Sequence, residues 1–332
     1  MSFKNNVAQV KNAAGEILWS KILFEPDLAF NLWGNAANQY YRILDLNNDG
    51  KTEVLLSPVS SDTVSNGKNE DGVVLFDQDG EKIWNYNFTE RAESASEGFL
   101  SGNYRLRILD FYKNDTISVV FIVANNLTSY SSALFALDAL TGKRIGGSFW
   151  SSGHVFAGKV LYKKSGVPYL LLFGIDNGFG DLIVFSSDLN LREGMRPSTN
   201  RYEFLNKKRI KPEIMIRIPK NDLEIFLGRK YPIYYRQGFR KFADDEVIFT
   251  TTVNEASLIF TLNLLSLELK IEPIDGFAQY RDSLITAGVL KGPLTNTSEF
   301  LRAFRENIQI YFNDRWVSYD SFQLMKNNGG SE

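Results

Sequence analysis

The sequence predicts an all-β protein: a single β-propeller of seven blades, or six, each a four-stranded antiparallel sheet. Three observations carry this. Runs of β-forming apolar residues alternate with turns of Asp, Asn and Gly along most of the 332 residues. The pattern recurs at a spacing near 65 residues. Helical periodicity is confined to one short stretch. A ring of such sheets leaves only short, protected edges. Repeats of about 40–50 residues per blade would fit this length about seven times.

The repeats are explicit. Arg-Ile-Leu-Asp occurs at 42–45 and again at 107–110, 65 residues later. Each copy is followed by a hairpin signature, an apolar run meeting a turn and then a second apolar run. Gly72–Phe76 leads through Asp77 and Gly80 to Trp84, and Ala133–Leu137 leads through Asp138 and Gly142 to Ile145. The same shape appears earlier, where Val7–Lys11 leads through Gly15 to Trp19, with Gly15 lying 65 residues before Gly80. The crowded apolar run at 72–76 suits a strand buried on both faces. Trp19 and Trp84, equivalent in their hairpins, are expected to fill the wedge between neighbouring sheets.

Later units are weaker but continue. Val155–Val160 and Tyr169–Phe173 read as strands, and Asp181–Phe185 with Asn190–Glu193 as a decayed hairpin. Ile214–Ile218 pairs with Glu224–Gly228, Val247–Thr252 with Leu258–Leu262, and Ile308–Phe312 with Trp316–Tyr319. Ser283–Val289 reads as a strand and Ser298–Arg305 as the one helix. The propeller is expected over residues 1–325. Its first blade is incomplete, as though the chain were a fragment of a longer protein. Residues 326–332, rich in Asn and Gly, are expected to be a disordered tail.

Composition removes several classes of function. There is no cysteine, which excludes disulfides, cysteine nucleophiles and cysteine-ligated metals. One histidine, His154, excludes multi-histidine metal sites. A net charge of −2 gives no global attraction to nucleic acid or anionic membrane. No apolar run is long enough to span a bilayer, and no signal peptide opens the chain.

The segment Asp45-Leu-Asn47-Asn-Asp49-Gly50-Lys51-Thr-Glu53, followed by Val54-Leu-Leu, resembles the FG-GAP/VCBS repeat of integrin-like propellers. The hairpins ending in Gly15/Trp19, Gly80/Trp84 and Gly142 resemble the outer strands of PQQ-like, quinoprotein-type propeller repeats. The resemblance implies a bacterial propeller carried outside the cytoplasm, periplasmic or at the cell surface, as a sensory or adhesive part of a longer protein. Quinoprotein dehydrogenases use a larger propeller and adjacent cysteines, so here the resemblance is to the scaffold and not to the enzyme.

The Asp45 loop is the sharpest chemical feature. Asp45, Asn47, Asp49, the carbonyl of Lys51 and Glu53 stand at alternate positions, so their oxygens could converge on one ion. Three carboxylates among hard oxygen ligands suit a structural Ca²⁺. Position 12 is Leu56 and no helices flank the loop, so it is not an EF-hand. A plain Asx-rich turn is the alternative. The counterpart, Asp110-Phe-Tyr112-Lys113-Asn114-Asp115, reads as a turn that has lost its ion.

Two other features need weighing. Residues 201–241 hold twelve Lys/Arg and four Asp/Glu, interleaved with aromatics. They could hold an anionic polymer, but a solvated surface explains them more simply. His154 follows Ser151-Ser-Gly, yet no Gly-x-Ser-x-Gly elbow is present and a turn histidine fits better. The function expected is non-catalytic binding of a glycan, peptide or protein, with no nucleic acid and no membrane span. The alternatives are an enzyme acting on polysaccharide through carboxylates in a central funnel, and a pure protein-interaction scaffold.

Overall fold

The computed structural model describes residues 2–4, 7–22, 40–57, 72–95, 98–99, 102–230, 234–243, 245–253 and 256–328. The chain is mostly β, with 48% in strands and 14% in helices. The described residues form five sheets of three or more strands and one two-stranded ribbon. The sheets are open, and a closed ring of seven blades is not seen among them. The contacts divide the chain into two units, Met1–His154 with Asp188–Ile210, and Val155–Ser187 with Lys211–Glu332.

The first unit carries the repeats. Its first sheet orders Ser2–Lys4, Val7–Lys11 and Ile17–Ile22. The second orders Tyr41–Leu44, Glu53–Leu56, Gly72–Phe76 and Lys82–Asn87. The third orders Tyr104–Lys113, Ser118–Asn126, Ser132–Asp138 and Arg144–Ser151. All nine residues of Ser118–Asn126 are buried, as befits a central strand covered on both faces.

The three hairpins expected around Gly15, Gly80 and Gly142 form, and an Asx side chain closes each turn. Asn12 Oδ1 accepts from Glu16 N, Asp77 Oδ1 from Asp79 N and Glu81 N, and Asp138 Oδ1 from Thr141 N. The turn glycines Gly15, Gly80 and Gly142 have φ of 86°, 82° and 67°, a region that only glycine occupies at no steric cost. The tryptophans do pack between sheets. A Cβ on Gly80 would lie 2.8 Å from Trp19 Cγ, and one on Gly142 2.6 Å from Trp84 Cδ2. Trp84 Nε1 also donates to Ala139 O at 3.0 Å. Each indole thus lies against the bare turn of the following hairpin.

The third sheet gains a fifth strand by a device the repeats do not contain. The chain leaves after Ser151 and returns at 188–210, where Gly194–Met195 pairs in parallel with Phe149–Trp150. Gly146 and Gly147 make room for it. A Cβ on Gly146 would meet Asn190 O at 2.5 Å, and one on Gly147 would meet Glu193 N at 2.5 Å.

The second unit holds a six-stranded sheet and a four-stranded one. The former orders Val155–Tyr162, Pro168–Asp176, Asp181–Asp188, Met215–Ile218, Gln309–Phe312 and Arg315–Ser318. The latter orders Tyr234–Ala243, Glu246–Val253, Ala256–Asn263 and Leu269–Pro273. Phe173, Phe249, Phe260 and Phe304 belong to its core.

Helices correct the all-β expectation. Four are described: α1 (Asp222–Phe226), α2 (Asp275–Thr286), α3 (Ser298–Glu306) and α4 (Tyr319–Asn328). The strand expected at Glu224–Gly228 falls mostly in α1, which opens with a complete capping box between Asn221 and Glu224. The strand expected at Ser283–Val289 is the end of α2, whose buried face of Phe277, Ala278 and Arg281 has helical spacing. The hairpin partner expected at Asn190–Glu193 is a turn leading to the parallel strand. Of the tail expected to be disordered, Lys326–Asn328 closes α4, and 329–332 lie outside the described residues.

Candidate functional site

The best-equipped polar site lies at one end of the third sheet. Strand Tyr104–Lys113 is the sheet's edge, and its first residues alternate, with Tyr104, Leu106 and Ile108 buried and Arg105 and Arg107 half-buried. Two guanidinium groups therefore stand on one face of an edge strand. Across the ladder Arg105 faces Asn125, and Tyr104 faces Asn126. The turn after Asn126 carries Tyr130, 46% exposed and held at φ 59°, a conformation that costs a non-glycine residue of the order of 1–3 kcal/mol.

His154 closes this end. Its Nε2 donates to Asn126 O at 2.8 Å, and its ring centroid lies 5.3 Å from that of Tyr130. Burial pushes the imidazole down to about 4; the Asn126 carbonyl opposes that shift, and the charges of Arg107 and Arg105 add to it. The histidine is neutral at physiological pH. Ser151 Oγ donates to Gly153 O and accepts from the fully buried Arg196, whose Nη2 reaches Ser152 Oγ at 3.0 Å. These hydroxyls hold the turn, as a structural reading of Ser-Ser-Gly-His requires.

A second polar network lies near the crossover. Ser148 Oγ donates to Glu90 Oε2, and Ser148 N donates to Glu193 Oε2 at 2.8 Å. Arg144 pairs with Glu90 at 2.9 Å and stacks 4.2 Å from the Phe135 ring centre, while Lys207 pairs with Glu193. Burial would raise Glu193, but the hydrogen bonds from Lys207 and the Ser148 amide overrule it and hold it low. That is the wrong direction for a general acid, which must keep its proton.

In the second unit, Asp181 is buried just after the Asn177–Gly180 turn that joins Pro168–Asp176 to Asp181–Asp188. Burial pushes it up to about 6; Arg217 opposes this and Asp176 adds to it. Arg217 Nε is 2.7 Å from Asp181 Oδ2, and the guanidinium carbon is 3.7 Å from the Phe179 ring centre and 5.1 Å from that of Trp316.

The Asp45 loop is tied by its own amides. Gly50 N donates to Asp45 Oδ2, Asp49 N to Asn47 Oδ1, Lys51 N to Asp49 Oδ1, and Leu46 N to the buried Glu53 Oε2. The bond from the Lys51 amide is the main reason Asp49 is held low. Lys113 reaches in, its Nζ 3.0 Å from Asp45 O and also bonded to Asn48 Oδ1. Asp45 Oδ1 alone is shut from water with no partner among the described residues. Among the described residues no three His, Cys, Asp or Glu side chains are gathered together, here or elsewhere, so an ion at this loop would draw on Asn and carbonyl oxygens as well. Lys113 itself ends the strand that begins at Tyr104, and Asn114 Oδ1 caps the following turn. The counterpart of the Asp45 loop is therefore mostly strand.

The basic stretch is partly self-neutralised. Lys207, Arg209, Lys211 and Arg217 pair with Glu193, Glu203, Asp314 and Asp181. The side chains of Tyr231, Tyr234, Tyr235, Arg236, Phe239, Arg240 and Lys241 lie outside the described residues. Arg105, Arg107 and Tyr130 were not apparent as a site from sequence. The available signal was Arg-Leu-Arg alternation at the start of a strand.

No helix among the described residues is long and apolar enough to cross a membrane. The sequence matches no family model and no curated protein. A solved structure of a Bacteroides fragilis protein described as exported is similar over 82% of this chain and 92% of its own. Identity is 11% and the TM-score 0.24, and no argument is built on that likeness.

Proposed function

We propose that this is a non-catalytic binding protein on a propeller-type scaffold, acting outside the cytoplasm as a sensory or adhesive domain. Its partner is a glycan, peptide or protein. The observation that carries the reading is the repeated meander sheet, locked by Trp19 on Gly80 and Trp84 on Gly142. Such a scaffold is rigid, and its loops and strand ends are free to bind. The resemblance to FG-GAP/VCBS and PQQ-like repeats belongs to this proposal, as does a count of six or seven blades. Averaged electron micrographs would test the count, since a ring with a central channel supports it and an elongated particle overturns it. Binding is tested by passing native bacterial extract and a panel of glycans over the immobilised chain. Stoichiometric retention of one protein or one glycan class supports the reading, and retention of nothing overturns it.

A structural calcium ion at the Asp45 loop is part of the same proposal. Asp45, Asn47, Asp49, the Lys51 carbonyl and Glu53 would hold it, and the unpartnered Asp45 Oδ1 supports it. An ion binding only the folded form stabilises by about 2.7 kcal/mol at a hundredfold excess over its dissociation constant. The melting temperature should rise with Ca²⁺ but not Mg²⁺, and Asp49→Ala should abolish the rise. An unchanged melt in Ca²⁺ and EDTA would show an ordinary turn.

The enzyme alternative rests on Asp181, a carboxyl raised to about 6 beside Asp176. Polysaccharide cleavage that is lost in Asp181→Asn would favour it.

A further inference from the structure

We infer that Arg105 and Arg107 form an oxyanion-binding site at the end of the third sheet, taking a carboxylate, sulfate or phosphate group of the ligand. The inference rests on the binding function proposed above. Four observations lead to it.

The strand period puts both guanidinium groups on one face, and among the described residues no strand pairs with the outer edge of theirs. Arg105 Nε is closed to water and has no hydrogen-bond partner among the described residues. A guanidinium matches the paired oxygens of a carboxylate or phosphate in geometry and charge.

The second observation is a departure from the repeat. Arg107 has a counterpart 65 residues earlier in Arg42, which is spent on the carbonyls of Tyr41 and Leu109. The counterpart of Arg105 is Tyr40. The scaffold thus asks for one arginine on this strand, and the third sheet has added another.

The third is the local field. The charges of Arg107 and Arg105 both disfavour the protonated imidazole of His154, which burial already keeps neutral. The fourth is Tyr130, strained, exposed and set against His154. Backbone strain of this kind gathers at ligand sites, and an exposed aromatic ring packed on His154 could stack on an acidic sugar or a phosphorylated group equally.

His154 is the only histidine, so its Cε1–H resonance reports the site without assignment. The full chain is titrated at low salt with inorganic sulfate, inorganic phosphate and glucuronate, with glucose as the neutral control. Saturable shifts of the His154 resonance by at least one anion, and none by glucose, are expected. The bound anion should also raise the midpoint of its titration above about 4. The tightest of the three probes identifies the source of the oxyanion. The double variant Arg105→Gln/Arg107→Gln should weaken that probe at least tenfold and melt as the parent does. It should also raise the His154 midpoint with no ligand present, because two positive charges have gone.

Undiminished anion binding by a folded double variant overturns the site. So does silence of the His154 resonance toward all three anions, in which case the two arginines only guard an open sheet edge. Retention of a neutral glycan or a protein partner in that same circumstance leaves the binding function standing. Retention of nothing removes both.

Discussion

His154 is a base that folding keeps neutral. Its pKa is near 6.5 in the unfolded chain and about 4 in the folded one. As pH falls from about 6.5 toward 4, the unfolded chain takes up a proton that the folded chain refuses. Stability present above 6.5 is therefore lost across that window, by up to about 3 kcal/mol. His154→Gln should flatten this loss, read from urea melts at pH 7.5 and pH 5. Asp181 has the opposite sign. Its folded pKa, about 6, lies above the ordinary aspartate value of 3.8, so its contribution is full below 3.8 and disappears as pH rises through about 6. Asp181→Asn should remove that rise on acidification. A steeper acid loss in His154→Gln than in the parent would contradict the burial described for the imidazole.

Elements were legible where the repeat is exact in its turn chemistry. Gly15, Gly80 and Gly142 mark hairpins that all form, because an Asx cap and a glycine at positive φ are local requirements that no distant contact overrides. The helices were less legible. Asn221-Asp-Leu-Glu224 carries a capping box, and Phe277, Ala278 and Arg281 carry helical spacing, but each lay beside an apolar run that reads as strand when taken alone. The arginine pair at 105 and 107 was hidden for a different reason. Its importance depends on which strand is an edge, and only pairing reveals that. The Asp45 loop was conspicuous in sequence, yet most of its oxygens face the loop's own amides. The indole contacts predict a contrast between glycines of similar φ. Gly15→Ala meets nothing within 4 Å and should cost only backbone strain, about 1 kcal/mol. Gly142→Ala also drives a methyl into Trp84 and should cost on the order of 2–4 kcal/mol. Equal losses in thermal melts would show that the indole is not held against the turn.

At the scale of the whole molecule, the two units have different means of holding themselves together. The first relies on repeated sheets. The second adds an ion pair between the buried Arg281 and the half-buried Asp222, in which Arg281 Nε lies 2.8 Å from Asp222 Oδ2, Nη1 donates to Pro293 O and Thr295 Oγ1, and the guanidinium carbon sits 4.1 Å from the Phe300 ring centre. One arginine thus binds α1, α2 and the segment before α3. Asp222→Asn removes the closer of two carboxylates on the buried Arg281, with Asp282 Oδ1 still 3.6 Å away, and should cost about 1–3 kcal/mol. In calorimetry the loss should fall on the transition of the second unit, and a uniform shift of all heat absorption would contradict the division into units. The His154 loss on acidification should appear in the transition of the first unit and the Asp181 gain in that of the second. The crossover has a consequence for synthesis. The ribosome delivers Trp84 before Gly142, and Gly146–Gly147 before the 190–194 segment that lies against them. A nascent chain halted after Ser151 therefore holds four strands of the third sheet and an uncovered Phe149–Trp150 edge. The sheet is finished only once the intervening second-unit strands have emerged, so completion of the first unit is timed by translation through residues 155–187.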